Sequence, residues 1–156
     1  MPLVPVPQFL YDASLIVHSS AAKTATFNGE VGGSAKVIDF GAQQHRQLRL
    51  VCDITALDIA STDEQYNILF QLSNNTAFDD AGLVQTKVLK RIQPKAAANT
   101  AGFNVFTDPV VGEQSFIFEN QENNIWYQYG RLKVVMSGTT PSITLTARLT
   151  DQHRIP

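Results

Sequence analysis

Trp126-Tyr127-Gln128-Tyr129-Gly130-Arg131-Leu132-Lys133-Val134-Val135-Met136 runs through Ser137-Gly138-Thr139-Thr140-Pro141 into Ser142-Ile143-Thr144-Leu145-Thr146-Ala147-Arg148-Leu149. Two alternating runs and a tight connection decide the fold class. Leu132, Val134 and Met136 share one face of the first run; Ile143, Leu145, Ala147 and Leu149 share one face of the second. Period two with one apolar face marks a half-buried antiparallel strand. Arg131, Lys133, Thr144, Thr146 and Arg148 take the opposite faces. Gly138 and Pro141 carry turn chemistry, and proline cannot donate to a ladder. The two runs are therefore expected to pair as a hairpin at the centre of the core. Gly130 lies where the parity changes, with tyrosines at odd positions before it and apolar residues at even positions after it. That pattern predicts a β-bulge, with Tyr127, Tyr129, Leu132, Val134 and Met136 on one face.

The same grammar extends upstream. Asp12 to Val17 reads as a short strand, His18 to Gly33 as a loop-rich stretch, and Ala35 to Gly41 as a second strand ending at a glycine. Arg46 to Leu57 is a strong strand, with Leu48, Leu50, Cys52 and Ile54 inward and Arg49, Val51, Asp53 and Thr55 outward. Ala60 to Glu64 is a turn, and Gln65 to Ser73 carries Tyr66, Ile68, Phe70 and Leu72 on one face. Two such runs joined by a polar connection predict a hairpin. After the loop Asn74–Gly82, Leu83 to Ile92 alternates poorly and carries lysines, as edge strands do. Gln93–Thr100 is a mobile-loop candidate and Phe103–Phe106 a short strand. Gln114–Glu119 holds Phe116 and Phe118 inside. Regular short strands with turn signals and no helical period predict an all-β fold: an antiparallel, jelly-roll-like β-sandwich.

The 156 residues suit a single domain, residues 12–150, which needs no metal or disulfide for stability. Residues 1–11 read as an extended N-terminal arm. Pro2, Pro5 and Pro7 favour extended backbone, while Leu3, Val4, Val6, Phe9 and Leu10 make it apolar. It is either a frayed terminus or an arm lying on a neighbouring subunit. Residues 151–156 form a tail. Charged residues make up 17% of the chain and the net charge is −2, which argues against nucleic-acid binding by bulk electrostatics. No apolar run is long enough for a spanning helix and the N-terminus lacks the basic start of a signal peptide, so no membrane partner is expected. Cys52 is the single cysteine, at the inward parity of its strand, and is expected to be a small buried apolar residue.

No catalytic constellation stands out, and no cofactor is implied; the expectation is a non-enzyme. His18, His45 and His153 match no metal signature and read as surface histidines. Asp79-Asp80 reads as a solvated turn rather than a hard-cation site, because the calcium-loop spacing is missing. No phosphate loop or nucleophile elbow occurs. Trp126, Tyr127 and Tyr129, with Gln128 and Arg131 nearby, admit three readings: core or sheet corner, a stacking platform for a sugar or base, or a protein-interface anchor.

Four stretches carry a resemblance when taken in order: Val37-Ile38-Asp39-Phe40-Gly41; Leu48 to Ile54; Leu69-Phe70-Gln71-Leu72-Ser73-Asn74-Asn75-Thr76-Ala77-Phe78; and Tyr127 to Thr139. Over about residues 12 to 150 the chain resembles the small jelly-roll cement (decoration) proteins of tailed bacteriophages. The resemblance implies a virion protein made in the host cytoplasm. It would sit on the outer capsid surface, tie major capsid protein subunits together, and have no catalytic residues. A homo-oligomer, dimer or trimer, is expected. Leu3, Val4, Val6, Phe9, Trp126, Tyr127 and Arg131 are the candidate partner contacts. The alternative is a carbohydrate-binding or tail-adhesin β-sandwich module. The arm before Phe9 and the tail from Asp151 are longer than the family leads one to expect.

Overall fold

A computed structural model describes residues 15–19, 21–42, 45–61, 63–79, 84–92 and 111–151. The arm, the tail beyond residue 151, the start of the strand expected at Asp12–Val17, the Gln93–Thr100 loop and the Phe103–Phe106 strand lie outside the described residues.

Every element placed among the described residues is a strand. One sheet has the order β1 (Ile16–His18), β13 (Ile143–Asp151), β6 (Gln47–Leu57), β9 (Gly112–Glu119). The other has the order β2 (Phe27–Asn28), β12 (Tyr129–Ser137), β7 (Gln65–Ser73), β8 (Gln85–Ile92), with β5 (Ile38–Asp39) pairing the start of β12. All pairings are antiparallel. The two sheets face one another across a single apolar cluster. Leu48, Leu50, Cys52, Ile54, Leu145, Ala147 and Leu149 come from the first sheet; Tyr66, Ile68, Phe70, Leu72, Leu132 and Val134 come from the second. The protein is an all-β antiparallel sandwich, with the inward faces that the alternation predicts. Full burial of each large apolar side chain contributes about 1.5–3 kcal/mol.

The strand partners differ from the expected hairpins. β12 and β13 lie in opposite sheets, and so do β6 and β7. Alternation shows which face of a strand is apolar; it does not distinguish a neighbour in the same sheet from a strand across the core. The two connections instead cross from sheet to sheet, side by side. Asp58 N–H donates to Ser142 O at 2.8 Å, and Thr139 donates to the Asp63 carboxylate from its N–H (3.1 Å) and its hydroxyl (2.8 Å). The fully buried Tyr66 hydroxyl donates to Asp58 O and accepts from Ser142 N–H at 3.0 Å. A Cβ on Gly138, at φ 111°, would lie 2.6 Å from Glu64 Cα. Only glycine lets the two backbones approach so closely.

Gly130 forms no bulge. The β12–β7 register runs unbroken from Tyr129↔Ser73 to Ser137↔Gln65. Gly130 is an inward position whose missing side chain is filled by rings: a Cβ there would lie 2.4 Å from Phe70 Cε1 and 2.7 Å from Phe40. Register shifts occur elsewhere: in β1 between Ile16 and His18, in β6 where Thr55 is passed over between Thr144 and Leu145, and in β8, where Ile68 pairs Lys90 and Leu69 pairs Val88, leaving Leu89 unopposed. This last slip explains the poor alternation there: Ile92 is buried while Val88 is exposed. β8 is an edge strand among the described residues, as expected.

The stretch read as loop between His18 and Gly33 contains β2 and a small hairpin, β3 (Glu30–Val31) with β4 (Ser34–Ala35). It turns on Gly32 and Gly33, both at positive φ. The single strand expected at Ala35–Gly41 is split, because Ala35 pairs in this hairpin and Ile38–Asp39 pairs with β12. His18 is not a surface residue. It is fully buried, its Nδ1 accepts from Glu30 N–H at 3.2 Å, and its ring lies 4.8 Å from that of Phe27.

Candidate functional site: the corner hairpin and its cleft

β9 ends at Glu119, and the chain then makes a hairpin outside both sheets: β10 (Gln121–Glu122) with β11 (Ile125–Trp126). Asn123 and Asn124 close it with φ of 49° and 61°. A two-residue turn with both central residues left-handed suits this hairpin, and asparagine tolerates that region best after glycine. The sequence shows the motif, Asn-Asn between short runs, but the larger strands nearby obscured it. Buried Asn120 anchors the hairpin base. Its side chain accepts from Arg46 N–H at 2.7 Å and donates to Tyr127 O at 3.0 Å.

This anchor separates the aromatic cluster. Trp126 is 37% exposed, whereas Tyr127 is 1% exposed and packs in the core. Tyr127 therefore offers its ring to the interior and not to a partner. Tyr129 is half-buried on the outer face of β12. Arg131 also lies on that outer face. Its Nε donates to Gln71 at 2.9 Å and its guanidinium sits 4.3 Å from the centre of the Phe78 ring. Leu3, Val4, Val6 and Phe9 lie outside the described residues.

Other residues meet at Trp126 instead. His45 sets its ring perpendicular to the indole, with centroids 5.3 Å apart, and lies 3.4 Å from the Glu119 carboxylate. Beyond the indole, Ala42, Asn74, Trp126 and Gln128 line a cleft of about 610 Å³. Gln128 N–H donates to Asn74 Oδ1 at 2.9 Å, and Gln128 Nε2 donates to the Asp39 carboxylate at 3.2 and 3.3 Å. Asp39 also accepts from Gly41 N–H at 2.8 Å. Phe40 N–H donates to Gln128 O at 2.7 Å, so β5 and its following turn are stitched to the entry of β12. Periodicity could not reveal this assembly, because three separate connections, after β5, after β7 and between β11 and β12, supply it together with strand ends.

The large exposed apolar side chains lie along the β8/β9 rim of the sandwich, with Val88 on the outer face of one sheet and Ile117 on the outer face of the other. Val88 (59%), Val111 (55%), Ile117 (54%), Ile125 (41%) and Trp126 lie on or beside the edge strands β8 and β9 and on the hairpin after β9. A Lys87–Glu122 ion pair joins β8 to that hairpin, placing both edges on the same side. Among the described residues no group of three or more His, Cys, Asp or Glu side chains is arranged to hold a metal ion. Cys52 is buried without a disulfide partner, and burial pushes its thiol up to about 12. No protein-family model and no curated protein matches the chain.

Proposed function

We propose that the chain is a bacteriophage capsid cement protein. It seats on the outer surface of the assembled shell and ties neighbouring major capsid subunits together. The observation that carries this reading is the apolar rim: the large exposed hydrophobic side chains of the described residues lie on or beside the edge strands β8 and β9 and on the β10–β11 hairpin, reaching both outer faces of the sandwich there. Scattered exposed apolar residues need no explanation, but a concentration along one rim suits a partner that wraps that edge. Two further points support it. The motif order Val37–Gly41, Leu48–Ile54, Leu69–Phe78, Tyr127–Thr139 resembles that family. The sheet orders β1-β13-β6-β9 and β2-β12-β7-β8, with nearly every connection crossing between sheets, are those expected of an eight-stranded jelly roll.

The work is binding rather than catalysis. Many copies, each adding a modest interface, stabilise a shell collectively through multivalency. The chain acts as a dimer or trimer in this reading, and light scattering of the purified protein gives its mass directly. The decisive experiment uses mature shells stripped of the protein. Added back, it should co-sediment with them and raise the temperature at which they release their genome. Val88→Asp with Ile117→Asp, both exposed and outside the core, should lower shell binding at least tenfold and leave the unfolding midpoint unchanged. Shells that neither bind the protein nor gain heat resistance would remove the proposal.

A further inference from the structure

The cleft beside Trp126 has chemistry that an apolar contact surface does not use. We propose that it binds a neutral pyranose saccharide. One wall is the partly exposed indole, packed against the perpendicular His45 ring. An aromatic face presented to solvent accepts the apolar C–H face of a sugar ring. Ala42 adds little bulk, and the space, about 610 Å³, suits a monosaccharide or a disaccharide.

The polar groups are arranged to read hydroxyls. Asn74 Oδ1 is taken by Gln128 N–H, which leaves Asn74 Nδ2 as a donor. Gln128 Nε2 is taken by the Asp39 carboxylate, which leaves Gln128 Oε1 as an acceptor. Trp126 Nε1 is a second donor. These three atoms have no partner among the described residues. A sugar hydroxyl both donates and accepts, so neighbouring hydroxyls match an alternating set of donor and acceptor. Each amide is oriented by a bond already made, so little freedom is lost on binding. The carboxylate of Asp39 behind Gln128, and Glu119 beside His45, set the charge preference. They repel acidic sugars and leave neutral ones.

Trp126 is the only tryptophan in the chain, so emission excited selectively at tryptophan, beyond the absorption of the four tyrosines, reports this cleft. The test titrates the purified full chain with methyl glucoside, methyl galactoside, N-acetylglucosamine and their disaccharides, and with sialic acid as the acidic comparison. At least one neutral saccharide should give a saturable change in emission, and sialic acid none. Asn74→Asp keeps the acceptor for Gln128 N–H and removes the donor. It should weaken binding at least tenfold with an unchanged thermal midpoint. The proposal is overturned if no neutral saccharide saturates, if sialic acid binds as well as the neutral sugars, or if the Asn74→Asp protein binds like the parent. Because no shell is present, the result stands apart from that of the shell-binding experiment.

Discussion

His18 is a buried base held in its neutral form. Its Nδ1 accepts the Glu30 N–H, and its buried Nε2 has no hydrogen-bond partner among the described residues. Burial, the largest influence, lowers its pKa from the ordinary 6.5; the Glu30 carboxylate acts against this and Lys23 acts with it. The unfolded chain therefore binds this proton more readily than the folded one. Stability from the neutral ring is complete above about pH 6.5 and is lost as pH falls through the lowered folded value. His18→Gln offers an acceptor that does not titrate. Thermal midpoints measured from pH 7.5 downward should fall less steeply for His18→Gln than for the parent, and parallel curves would refute the assignment. Gly130 is the second decisive residue. Its Cβ has no room against Phe40 and Phe70, so Gly130→Ala should lower unfolding free energy by about 1–3 kcal/mol, the usual range for overpacking. Chemical denaturation measures it. The parity argument saw that Gly130 was special and assigned the wrong cause, because ring packing by Phe70 of β7 and by Phe40 just after β5 leaves no mark on local alternation.

At the level of elements, the paired crossings carry most of the fold's specificity. Tyr66, Asp58, Asp63, Thr139 and Ser142 bind the β6–β7 connection to the β12–β13 connection. The Tyr66 hydroxyl belongs to both, and burial raises its pKa, so it remains a donor. Tyr66→Phe leaves Ser142 N–H and Asp58 O without that partner, and should cost about 1–3 kcal/mol. A shift in urea midpoint with an unchanged slope checks it, since an altered slope would mean a changed fold rather than a lost bond. The strands themselves were legible: the inward sets Leu48/Leu50/Cys52/Ile54 and Tyr66/Ile68/Phe70/Leu72 are all buried. Their partners were not, because a hairpin and a sheet-to-sheet crossing place the same faces toward the same core. The Trp126 cleft was half legible. Trp126 and Gln128 stood together in the sequence, but Ala42, Asn74 and Asp39 reach them only through the topology.

In the whole molecule, β13 sits between β1 and β6, and β12 sits between β2 and β7. Each sheet is thus completed by a strand late in the described sequence, and nearly all its pairings join distant parts of the chain. Folds dominated by such pairings form slowly, because loop-closure entropy must be overcome before the contacts form. This layout has a consequence for biosynthesis. While the chain has been made only up to residue 128, β6 and β7 lack their central sheet partners β13 and β12, and the core lacks Leu132, Val134, Leu145, Ala147 and Leu149. The core is completed only once Ile143–Asp151 has emerged from the ribosome. A nascent chain must therefore stay soluble, or be shielded by chaperones, until β12 and β13 have been made.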